Sequence, residues 1–86
     1  MASYKVLIKR SAEKELRLVP KIDLTRIVSK VQSLSIEPRP HGCEKLSGEE
    51  KYRIRQGDWR IVYSINDTHQ TIEIVKVGHR REIYRI

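Results

Sequence analysis

From Glu37 to Gly42 the chain reads Glu-Pro-Arg-Pro-His-Gly. No helix crosses such a segment, because each proline disfavours helical geometry in the residue before it and the glycine adds a bend. The period of the apolar residues changes across this break, and that change constrains the fold more than any other feature. Upstream the period is helical. Leu24, Ile27, Val28, Val31 and Leu34 form one stripe, with Arg26, Ser29, Lys30 and Ser33 off it. Before it, Ala12, Leu16 and Val19 recur at i, i+4 and i+7, the pattern of a shorter amphipathic helix. Ser11 is its expected N-cap, and Glu13 falls in the first turn, where a carboxylate complements the helix dipole. Pro20 belongs in a tight connection or at the start of the second helix. At the N-terminus Tyr4, Val6 and Ile8 alternate with Lys5, Leu7 and Lys9, as in a half-buried strand.

Downstream of the break the period is two. Lys51 to Gln56 reads as a strand, Gly57-Asp58 as a hairpin turn and Trp59 to Ile65 as the partner strand. Asn66 to Gln70 reads as a second turn and Thr71 to Val77 as a last strand, with Gly78 ending the sheet. The order predicts an α+β fold: an N-terminal strand, an antiparallel helix pair, then a three-stranded antiparallel meander with the helices packed on one face. A chain of 86 residues has room for one such domain, expected to span residues 1–86.

Composition bears on the partner. Eighteen Lys and Arg against eleven Asp and Glu give a net charge of +7, which calls for an anionic partner without choosing one. Cys43 is the single cysteine and has no second thiol for a disulfide or a metal pair; His41, His69 and His79 lack the spacing of helical metal ligands. No metal site is expected, and without a GxGxxG or phosphate-loop motif no cofactor is either. The absence of an apolar run of membrane-span length, or of a secretory signal pattern, predicts a cytoplasmic protein with no membrane partner.

Alternation puts Tyr52 and Ile54 on one side of the first meander strand and Arg53 and Arg55 on the other. In the next strand Trp59, Ile61, Tyr63 and Ile65 share a face, and Arg60 projects from the opposite one with Val62 and Ser64. If the hairpin pairs the apolar faces, Arg60 joins Arg53 and Arg55. The last strand is ambiguous, since Ile72 and Ile74 compete with Val75 and Val77 for the core. It delivers Gly78-His79-Arg80-Arg81 to one end of the sheet, where a turn brings Arg80 and Tyr84 toward the basic face. Arginine's planar fork grips phosphate bidentately and stays charged at any relevant pH. Trp59 and Tyr63 read as core; His41 and His69 read as solvated loop residues.

Lys45-Leu46, the hairpin Tyr52-Arg53-Ile54-Arg55-Gln56-Gly57-Asp58-Trp59-Arg60-Ile61-Val62-Tyr63 and the ending Val77-Gly78-His79-Arg80-Arg81-Glu82-Ile83-Tyr84 resemble the RelE branch of the RelE/ParE toxin superfamily. The resemblance covers essentially the whole chain. It implies a toxin that cleaves mRNA in the ribosomal decoding site without a metal, by attack of a 2′-OH on the adjacent phosphate. An acidic, RelB-like antitoxin would wrap it, and the pair would form a hetero-oligomer on operator DNA. Carried over residue by residue, Arg60 and Arg80 bind the phosphate and its transition state, and Arg53 and Arg55, with Lys51 and Arg81, hold the RNA. Tyr84 stacks on a base or passes a proton. The best-known family pattern has lysines where this chain has Arg53 and Arg55. Arginine does not exchange protons, so His79 becomes the candidate for that step. The alternatives are a ParE-like gyrase inhibitor and a nonenzymatic nucleic-acid- or antitoxin-binding module.

Overall fold

The computed structural model describes residues 3–46 and 50–83. Its elements run β1 (Lys5–Ile8), α1 (Arg10–Arg17), α2 (Lys21–Ser33), β2 (Glu44–Lys45), β3 (Lys51–Gln56), β4 (Trp59–Asn66), β5 (Thr71–His79) and α3 (Arg80–Ile83). The five strands form one sheet in the order β1-β5-β4-β3-β2, with β1 parallel to β5 and the other pairs antiparallel. The α+β architecture with two helices on the sheet is the one the two periods predict.

The core lies between the helices and one face of the sheet. Ala12 and Val19 from the first helical segment, and Ile27, Val31 and Leu34 from the second, pack on Tyr52, Ile54, Ile61, Tyr63, Ile65, Ile72, Ile74 and Val77. Ile27 and Leu34 are fully buried, so each contributes about 1.5–3 kcal/mol of apolar burial. Val28 is on the expected stripe yet 40% exposed, because the sheet is met by a band narrower than those five residues span.

Two local expectations are corrected and one ambiguity is resolved. Ser11 is not the N-cap: α1 starts at Arg10, Lys9 holds the cap position and no side chain caps the helix. The sheet decides this. The Lys9 amide donates to the Ile74 carbonyl (2.9 Å), and the Lys9 carbonyl accepts from the Glu13 amide (2.9 Å), so the strand's last pairing runs directly into the first helical turn. Gly78 does not end the sheet but sits inside β5, in register with Arg60. The competition in β5 is resolved by a bulge. Val62 pairs with Lys76 and Tyr63 with Ile74, which leaves Val75 as the extra residue and reverses the alternation after it. Ile72, Ile74 and Val77 therefore all face the core.

Past Ile74, β5 has no strand on its outer side, and α1 covers that edge. Glu15 accepts the Val77 amide on one carboxylate oxygen (2.9 Å) and the Lys76 ammonium on the other (3.0 Å), which satisfies a backbone donor that the sheet leaves open. The proline segment is also tied down. Tyr63 donates its hydroxyl to the Pro38 carbonyl (2.7 Å), and Arg39 lies over the Tyr52 ring, donates to its hydroxyl (3.1 Å) and pairs with Asp67 (3.0 Å). Tyr4 adds a hydroxyl bond to the same carboxylate (2.7 Å).

Candidate nucleic-acid interface

The face of the sheet opposite the helices takes the side chains that the core rejects. Register fixes which these are: Tyr52 opposes Tyr63, Ile54 opposes Ile61 and Gln56 opposes Trp59 on the core side. Arg53 then opposes Val62, and Arg55 opposes Arg60, on the other. The two-residue loop between them has glycine at its first central position with a φ of +61°, a conformation that costs an L side chain free energy and glycine little.

Directly opposed like charges destabilise a strand pair, so the Arg55–Arg60 juxtaposition is not a stability device. Partial burial lowers the Arg60 ionisation below the ordinary arginine value, and the positive charges of Arg55, Arg53 and Arg80 lower it further, with Asp58 opposing. Arg60 thus sits in the combined field of the other three arginines. It remains a cation. Its Nη1 donates to the Trp59 carbonyl (3.2 Å) and, more weakly, to the Gly57 carbonyl (3.4 Å), which folds the guanidinium over the hairpin turn. The floor beside it is dry: Val62, outside the helix-side core, is 1% exposed and has Arg53 and Lys76 as register partners. Arg53 and Arg60 are half-buried around it, while Arg55 and Arg80 are exposed.

Arg80 reaches the cluster from the end of β5. Its amide donates to the Asp58 carbonyl (2.8 Å) and its guanidinium lies 3.7 Å from the Asp58 carboxylate, which pins the start of α3 to the β3–β4 turn. Arg53 donates Nη2 to Glu44 (3.3 Å), while its Nε is buried with no hydrogen-bond partner.

His79 is placed apart from Arg60. The bulge puts it on the core side with Trp59, its register partner, whose ring it meets edge-on at 5.6 Å. Its Nδ1 accepts the Arg81 amide (3.3 Å), so it holds the first turn of α3. Arg81 is exposed, Lys51 is half-buried and opposes Ser64 on the arginine side, and Tyr84 lies outside the described residues. Sequence reasoning missed Glu44 and Lys76 as members of this face. A two-residue strand carries no periodicity, and the parity of Lys76 depends on the bulge. Among the described residues no group of three His, Cys, Asp or Glu side chains is arranged to hold a metal ion.

A family profile described as the ParE toxin of the type II toxin–antitoxin system parDE matches residues 6–84. Toxin RelG of Mycobacterium tuberculosis is 34% identical over 86 aligned residues, covering 95% of this chain and 97% of that protein. The toxin–antitoxin complex RelBE2 of the same organism contains a chain of the same fold, with a TM-score of 0.82, 31% identity and coverage of 91% and 99%. In the RelE–RelB complex of Pyrococcus horikoshii the corresponding values are 0.83, 32%, 93% and 98%. The fold is that of a type II toxin–antitoxin toxin. Within that class, the chain belongs to the RelE-type toxins of the RelE/ParE superfamily.

Proposed function

We propose that this toxin is a ribosome-dependent endoribonuclease that cuts mRNA in the decoding site and so stops translation in the cytoplasm, as part of a stress response. The observation that carries the reading is the placement of Arg60 in the shared field of Arg53, Arg55 and Arg80 on the uncovered face of the sheet. Attack of a 2′-OH on its own phosphate adds negative charge to the non-bridging oxygens, and preorganised cations stabilise that charge. The nucleophile exists only in RNA. Arg60 and Arg80 take the reacting phosphate; Arg53 and Arg55, flanked by Lys51 and Arg81, hold the neighbouring backbone. Tyr84 stacks on a base or passes a proton. Because His79 faces Trp59 and bonds the Arg81 amide, we assign it the positioning of α3 in place of proton transfer.

The same face suits an acidic antitoxin segment, and RelB-type antitoxins accompany the relatives solved as complexes. We extend that partnership to a hetero-oligomer on operator DNA. The parDE description of the family profile gives gyrase inhibition a place in the test. In a reconstituted translation reaction the wild-type protein is expected to cut ribosome-bound mRNA and leave 5′-OH ends that a kinase labels without prior dephosphorylation. Intact message together with trapped gyrase complexes, or 5′-phosphate ends, would overturn this reading.

A further inference from the structure

Arg53 is the cation of the face that combines a buried guanidinium nitrogen without a partner and an ion pair to a neighbouring strand. Its Nε and Nη2 form one edge of the guanidinium, the edge that a carboxylate or phosphate grips with two oxygens. Glu44 supplies a single contact there, to Nη2 at 3.3 Å, and the buried Nε–H has no acceptor. A burial this costly for a polar group, left half-compensated, marks a seat shaped for a different anion. The Glu44 carboxylate lies over that edge because Glu44 and Arg53 are register partners across β2 and β3. The strand that carries it is short and outermost in the sheet, paired only with β3, so its side chain is displaced without disturbing the core.

We propose that Glu44 is a resident competitor for phosphate: in the free toxin it occupies the seat at Arg53, and an RNA phosphate replaces it, engaging both Nη2 and Nε. The inference rests on the ribonuclease reading and adds to it a residue that sets affinity by occupying the site. Glu44 thereby restrains the arginine face from gripping phosphate indiscriminately. It touches neither nucleophile nor leaving group. Its role is positional and acts through Arg53.

The test is the Kd of the toxin for ribosomes programmed with mRNA that carries a 2′-O-methyl group at the cut site, which blocks the attack. It compares wild type with E44Q, E50Q, R53Q and the E44Q/R53Q double variant, each first checked for a native circular-dichroism spectrum and melt. Freeing Arg53 from a part-exposed pair is expected to tighten binding about two- to fivefold in E44Q. The gain is expected to vanish in the R53Q background, since the two residues share one interaction. E50Q removes an equally negative but more exposed charge from the adjoining segment and is expected to leave Kd within measurement error. Equal gains from E44Q and E50Q, or a gain that survives in R53Q, reduce the effect to general electrostatics and overturn the seat. A folded E44Q that binds no tighter than wild type also overturns it. Wild-type toxin that neither binds programmed ribosomes nor cuts unmodified mRNA overturns the ribonuclease reading together with the seat, so the two failures are told apart.

Discussion

Burial of the Tyr63 hydroxyl, with the Cys43 thiol beside it, raises its ionisation far above the ordinary tyrosine value of 10.0. The folded protein therefore keeps a proton that the unfolded chain releases. Stability from this source is intact below pH 10 and falls as the pH rises beyond it. Tyr63→Phe is expected to flatten the alkaline limb of a melting-temperature profile taken from pH 8 to 11. At neutral pH it is expected to cost about 1 kcal/mol, because the Pro38 carbonyl loses its donor. An alkaline limb of unchanged slope would assign the effect to other groups. Asp67 works in the opposite direction: hydrogen bonds from Arg39 and Tyr4 hold its carboxyl below the ordinary 3.8. Its contribution is present above that value and is lost as the pH falls through the depressed one. Asp67→Asn should therefore lose stability at pH 6 while losing little more between pH 4 and 2. A steeper acid limb in the variant would contradict this. The exposure of the Asp67 carboxylate keeps the effect small.

At the scale of elements, the hairpin turn carries more than a reversal of direction. Gly57 holds a φ of +61°, and the carbonyl of the neighbouring Asp58 accepts the Arg80 amide, so the shape of the turn sets the start of α3. Gly57→Ala is expected to destabilise the fold by about 1 kcal/mol in urea unfolding, and to lower activity further than that loss of folded protein explains. Unchanged stability would mean that the turn accepts a Cβ by rearranging. Both helices, the first meander hairpin and the pairing of its apolar faces were legible from the residues, because a period of 3.6 or of 2 sustained over a segment has few ways to bury its apolar side. What escaped the sequence has a common physical cause. The bulge at Val75 is one residue long, and it alone decides that Lys76 and Gly78 turn to the arginine side and His79 to the Trp59 side. The β2 strand is held by register with β3, with no pattern of its own, so Glu44 gave no sign of meeting Arg53. Ser11 was a sound cap by composition; a sheet hydrogen bond at Lys9 set the helix start ahead of it.

Across the whole molecule, the net charge of +7 divides into cations with local duties and a concentrated group. Arg17 pairs with Glu13, Arg39 with Asp67 and Lys76 with Glu15, and these hold helix, linker and sheet edge. Arg53, Arg55, Arg60 and Arg80 gather on one face, where burial and the positive charges of the other three lower the Arg60 ionisation; in the proposed reading an approaching phosphate relieves that repulsion. In the proposed mechanism this group grips the reacting phosphate, with Arg60 at its centre. Single-turnover cleavage of mRNA on programmed ribosomes, at saturating toxin, tests it most directly. Arg60→Ala is expected to cut the rate about 100-fold or more, the size of effect seen when one preorganised donor to developing charge is removed. Arg26→Ala, which deletes an exposed arginine on α2 across the sheet, is expected to leave the rate within about twofold of wild type. A folded Arg60→Ala toxin that cuts at the wild-type rate, or an Arg26→Ala loss of equal size, would contradict the claim.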